Sequence, residues 1–154
     1  MRFLARAHQM PARLIVGAFV LNSGLSKLKG DQGTADYIHG TAKTAYPFLG
    51  SQDPQKFTRT LGTVEVALGG ALMAPFVPTA VAGAGLTAFA GGLTGLYLRL
   101  PGMHEKKSLR PTQDGIPLAK DTWLVGVGAT LLLEELARAR EQGRGRGRGR
   151  RRCR

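Results

Sequence analysis

Residues 60–98 read TLGTVEVALGGALMAPFVPTAVAGAGLTAFAGGLTGLYL, and these 39 positions hold a single charge, Glu65. As one helix the run would extend about 58 Å, roughly twice the ~30 Å hydrocarbon core of a bilayer. Pro75 and Pro78 fall near its midpoint. Proline lacks the helical N–H and clashes with the preceding turn. The stretch therefore predicts a transmembrane hairpin, with spans near 59–76 and 79–98. A hairpin buried in a water-soluble protein would need a large surrounding core, and the chain has no residues left to build one.

Two weaker spans flank the hairpin. Residues 14–26 (LIVGAFVLNSGLS) carry no charge and are bounded by Arg13 and Lys27, both long enough to snorkel to an interface. Counting from Pro11, which a helix start tolerates, gives a span near 11–29. The last span lies near 117–137; it carries Lys120 and Asp121 early, then TWLVGVGATLLL before Glu134 and Glu135. Arg2, Arg6 and Arg13 ahead of an apolar run also suggest a signal peptide. No small-x-small cleavage site follows, since the chain continues Lys-Leu-Lys-Gly-Asp.

The chain has 154 residues and a formal charge of +12, a balance that by itself suggests a nucleic-acid binder. Its distribution argues otherwise. Residues 138–154 hold nine arginines and one glutamate, a net +8, which leaves +4 for the other 137 residues. Hydrophobic residues make up 43%, and 22 glycines come on top of them. Together they exceed the ~45–50% of an ordinary soluble domain. The reading is a cytoplasmic segment 1–10, a four-helix transmembrane bundle 11–137 and a Gly/Arg tail 138–154.

Alternating Gly and Arg has no apolar face, so the tail is expected to be disordered. No aromatic interleaves to stack on bases, which disfavours nucleic acid. Arg144, Arg146, Arg148, Arg150, Arg151 and Arg152 suit a tether to anionic lipid headgroups or to an acidic partner. The single cysteine, Cys153, rules out an intrachain disulfide framework.

Four spans put both termini on one side. The arginines at both ends place that side in the cytoplasm by the positive-inside rule. In lipid, small residues mark helix interfaces. Gly62 and Gly69 in the second span are expected to pack, as are Gly83, Gly91 and Gly95 in the third. The same topology gathers the polar residues Asn22, Lys27, Glu65, Lys120 and Asp121 at the outer level and leaves the inner half almost purely apolar. Glu65 shares a face with Gly62 and Gly69. An intramembrane carboxylate usually faces the bundle interior or a partner, and Lys27 and Lys120 are its candidate counter-ions. Such a layer suits a polar pocket for a quinone headgroup, a small solute or a proton step; it equally suits a structural ion pair. Tyr97 and Trp123 fit an interfacial aromatic belt.

Several chemistries have no residues to carry them. There is no CxxC, no HExxH and no intramembrane histidine for bis-histidine haem. His39 and His104 share the outer side, but no metal site is assigned.

Residues 13–28 (RLIVGAFVLNSGLSKL), the Gly62–Gly70 run around Glu65, the short hairpin, and Leu-Ala-Lys-Asp-Thr-Trp at 118–123 together resemble DoxX-type membrane proteins. The resemblance covers about residues 11–137. The long first outer connection and the Gly/Arg tail depart from the family pattern. It implies a four-helix multi-pass protein of the bacterial inner membrane, often linked with oxidoreductases and sometimes with quinone-dependent thiosulfate oxidation. Three functions follow as expectations. One is a non-catalytic accessory or anchor subunit of a membrane redox or respiratory assembly, among other membrane subunits. The second is the membrane subunit of a quinone-linked oxidoreductase with its site near Glu65. The third is a small-solute transporter.

Overall fold

A computed structural model of the protein describes residues 5–105 and 108–151, the last ten as backbone alone. Arg2, Lys106, Lys107, Arg152 and Cys153 lie outside the described residues, as do the side chains of Arg144, Arg146, Arg148, Arg150 and Arg151. The described chain is all helical: α1 Met10–Leu28, α2 Gln32–Ala45, α3 Pro54–Met73, α4 Thr79–Arg99, α5 Ile116–Ala119 and α6 Thr122–Arg151. It contains no strand.

Local chemistry sets the ends of these helices. Asp53 caps α3 by accepting the Lys56 N–H at 2.8 Å, with Pro54 in the first turn. α3 stops at Met73 because Ala74 precedes Pro75 and takes an extended conformation. α4 then begins directly after Pro78. Asp31 caps α2, accepting from both the Thr34 N–H and the Thr34 hydroxyl, and these bonds hold its carboxyl below the usual aspartate range.

Three of these elements depart from the sequence reading. The connection 30–58, read as a long loop, contains α2. The last span, read as continuous, breaks at Lys120–Asp121 into α5 and α6; the Thr122 hydroxyl donates back to the Ala119 carbonyl at the break. The backbone of α6 also runs on as helix through Arg151, where the reading expected no regular structure. Extending an existing helix needs no new nucleus.

Two helical stretches among the described residues are long and apolar enough to cross a membrane, Thr79–Arg99 and Ile116–Glu141, the second taken across the α5–α6 break. α1 and α3 have the length, at 19 and 20 residues. Their composition is more polar, through Arg13 and Lys27 in α1 and Lys56, Arg59 and Glu65 in α3.

The long helices pack as two antiparallel pairs, α1 with α3 and α4 with α6. Glycine makes both seams possible. A Cβ at Gly24 would lie 2.7 Å from the Gly62 carbonyl oxygen, and one at Gly69 would lie 2.6 Å from the Leu21 nitrogen. In the second pair a Cβ at Gly83 would sit 2.9 Å from the Leu132 nitrogen. The expected packing row on α4 ends early: Gly91 meets nothing within 4 Å, and Gly95 fronts the Tyr46 hydroxyl instead of a helix. Val16, Val20, Leu72, Ala82, Leu86 and Leu131 form the core that joins the pairs. Since the Gly69 contact is with backbone, Gly69→Ala must push α1 and α3 apart. It should cost about 1–3 kcal/mol, read as a lower unfolding midpoint in detergent; an unchanged midpoint would contradict this seam.

Candidate functional site

The two helix pairs meet closely at the end that carries the α3–α4 turn, the hairpin end. They part toward the other end, and there a cavity of about 1070 Å³ opens between them. This is at the upper end of the range for small-molecule sites. Apolar side chains supply most of its wall, including Phe19, Phe57, Leu61, Phe89, Leu93 and Leu96. α2 packs on α3, touches α4 and contributes Tyr37 and Thr41 to the rim.

A polar group sits within this apolar wall. Lys27 Nζ donates to Glu65 Oε2 at 2.9 Å and to Ser23 Oγ at 2.8 Å. The Glu65 side chain is 3% exposed and that of Lys27 20%. Glu65 reaches this position because Gly62 and Gly69 let α3 lie against α1, so a carboxylate on the packed face meets a lysine on the facing helix. Burying either charge alone would cost several kcal/mol, and the pair with its serine contact offsets that cost.

Lys120 and Asp121 line the same cavity from the break between α5 and α6. Neither side chain makes a hydrogen bond or ion pair among the described residues. Lys120 is exposed, with its ammonium 5.8 Å from the centre of the Phe19 ring. Asp121 is half-buried, within electrostatic reach of Lys120, Lys27 and Glu65. Four of the five expected pocket residues therefore share one cavity. Asn22 does not: its side chain is exposed and absent from the cavity wall, although it lies on the same helix as Lys27. Five positions earlier on a helix is about 140° around the axis, which puts Asn22 on another face.

The hairpin end corrects a second expectation, that of an apolar inner half. Arg13 is fully buried. Its guanidinium donates to the carbonyls of Ala71, Leu72, Ala74 and Val77 and to the Thr79 hydroxyl, over 2.7–3.2 Å. It thus closes the last turn of α3, where unpaired carbonyls and the helix dipole both favour a cation. Thr79 donates to the buried Gln9 at 2.9 Å, and Gln9 donates to Glu134 at 2.9 Å. Glu134 also meets Arg6 at 3.0 Å and His8 at 3.1 Å. This chain of contacts runs from α1 through the α3–α4 turn to α6 and clamps the two pairs together. The clue in the sequence is that Arg13 shares a helical stripe with Gly17, Val20 and Gly24, all buried. Its partners are backbone carbonyls, which no pattern of side chains reveals.

The histidines are engaged elsewhere. His39 is buried, bonded to the Leu49 carbonyl at 2.9 Å and set edge-on to Phe57. His104 lies against Tyr97. Among the described residues no group of three or more His, Cys, Asp or Glu side chains could hold a metal ion. No protein-family model matches the chain, and neither does a curated protein or a solved structure.

Proposed function

We propose that this chain is a multi-pass protein of the bacterial inner membrane, DoxX-like in its span motifs. In this reading α1, α3, α4 and α6 cross the bilayer, α2 lies at the outer interface and both termini are cytoplasmic. Its role is that of a non-catalytic accessory subunit of a membrane redox assembly, one that holds a small amphipathic molecule between its helix pairs.

Two observations support the membrane reading beyond the two apolar helices. Of the five charges that make α1 and α3 polar in composition, Arg13 and Glu65 are buried and Lys27 is half-buried, while Lys56 and Arg59 near the start of α3 are exposed. Large apolar side chains point outward as well, among them Leu14 and Ile15 on α1, Val64 on α3, Val81 and Leu98 on α4, and Leu133 on α6. An apolar exterior around a polar interior suits lipid better than water. The tail arginines beyond Arg138 would then hold anionic headgroups at ~1 kcal/mol per residue near the surface.

The observation that carries the ligand is the cavity itself, apolar in its walls and ending on the buried Lys27–Glu65 pair. It distinguishes a subunit that receives a molecule from one that only anchors its neighbours. The quinone-linked alternative uses the same cavity and makes Glu65 essential to turnover. The transporter alternative looks for helices broken at mid-membrane, whereas the break at Lys120–Asp121 falls near the start of its span.

Purification from native membranes, with identification of companions and extractable small molecules, tests the proposal. The expected result is co-purification with larger membrane proteins, and Glu65→Gln leaves their turnover intact. Loss of turnover in that variant would favour the quinone-linked alternative. A lone chain with neither companion nor small molecule would overturn the accessory reading.

A further inference from the structure

We infer that the molecule this cavity takes is an organic cation, an apolar body carrying an ammonium head. The inference rests on the reading of the cavity as a ligand chamber and adds the charge class of its occupant.

The polar atoms that face the chamber determine that class. Glu65 is the most deeply buried of them. Lys27 occupies its Oε2, while Oε1 takes no hydrogen bond among the described residues. No buried side-chain oxygen or nitrogen among those residues is both sealed off and unpartnered. Oε1 of a cavity-lining, nearly buried side chain therefore opens on the cavity. Asp121 adds a second unpartnered carboxylate, half-buried in the wall. Both are acceptors that a donor on the occupant can fill, while Lys27 keeps a single N–H beyond its two bonds.

Charge points the same way. Within the chamber Lys27 and Glu65 cancel, and the half-buried charge left over is that of Asp121. Lys120, the other cation, is exposed at the rim, where water screens it. Asp36 and Asp114 also line the cavity but are exposed and screened as Lys120 is, so the uncompensated charge is that of Asp121. The aromatic rings in the wall favour the same partner, since their faces attract cations. Two of them already do so within this fold: Arg99 lies 4.9 Å from the centre of the Tyr46 ring, and Lys120 lies over Phe19. An anionic head would meet two carboxylates in a low dielectric. A neutral carbonyl head would leave both acceptors unpaired, which is costly in a desolvated site.

A matched set of probes separates the possibilities. Naphthylethylamine, naphthylethanol and naphthylacetate share an aromatic body and differ in the head. Each is titrated by naphthalene fluorescence against the full chain in nanodiscs, with protein-free nanodiscs subtracted. The amine should bind at least about tenfold tighter than the alcohol or the carboxylate. Asp121→Asn should erase about tenfold of that affinity while leaving alcohol binding unchanged. Asp121 is half-exposed and outside the helix seams, so this variant keeps the fold; Glu65→Gln, nearly isosteric, gives an independent second arm. Equal binding of amine and alcohol, or tighter binding of the carboxylate, overturns the cation assignment and leaves the chamber standing. No saturable binding of any probe overturns the chamber reading itself, and the inference with it.

Discussion

Arg13→Leu is expected to destabilise the protein by about 3–5 kcal/mol, among the largest effects available to a single substitution here. The side chain is fully buried and makes six hydrogen-bond contacts with its five N–H groups. Leucine would fill part of the space but leave the carbonyls at the end of α3 unpaired, each worth about 1–3 kcal/mol if it stays buried. Some would relax toward water or lipid headgroups, so the sum is an upper bound. Arg13→Lys should be intermediate. It restores the charge that suits the helix C-terminus, but an ammonium has three donors on a single atom and cannot span four carbonyls. Thermal unfolding in detergent should rank parent, lysine and leucine in that order. A leucine variant as stable as the parent would remove Arg13 from this place in the fold.

The second large effect concerns the buried ion pair. Lys27→Met leaves Glu65 as a nearly buried carboxylate without its counter-ion, and should cost about 3–5 kcal/mol. Removing both charges, in Lys27→Met with Glu65→Leu, should recover most of that loss, because two desolvation costs vanish with the pair. A double-mutant cycle on the unfolding midpoint therefore predicts strong non-additivity. Additive losses would show that the two side chains act independently, contrary to their 2.9 Å contact.

Much of the helical frame was legible because it depends on features local in sequence. The 60–98 run with its two prolines marks α3, the turn and α4. The uncharged 14–26 run marks α1. The meeting of Lys27 with Glu65 was foreseeable once the spans were ordered by topology, since only a few residues share that level. α2 escaped notice for a physical reason. Its inward stripe, Ala35, Ile38, Ala42 and Ala45 with His39 beside it, is mostly alanine and too weakly apolar to stand out as a span. The break at Lys120–Asp121 was visible as a charged pair but not as an interruption, because its effect depends on how the 100–115 segment returns to α4. The GxxxG of Gly91 and Gly95 misled in the opposite direction. Glycine spacing records which backbones could approach, while the actual seam at Gly83 and Gly128 also requires a partner at the right height. The network at the hairpin end was the least legible part, because Arg13 bonds to carbonyls more than fifty residues away.

The clamp and the cavity share a helix, and that has a thermodynamic consequence. Asp121 precedes α6 at the cavity, and Glu134 sits about 20 Å further along, where Arg6, His8 and Gln9 hold it. On the proposed reading, an occupant that moved α6 at one end would disturb those contacts at the other. By linkage the coupling is reciprocal. If the arginine-rich extension of α6 docks as proposed, whatever draws it to a surface would alter occupancy of the cavity by the same factor that occupancy alters the docking of that extension.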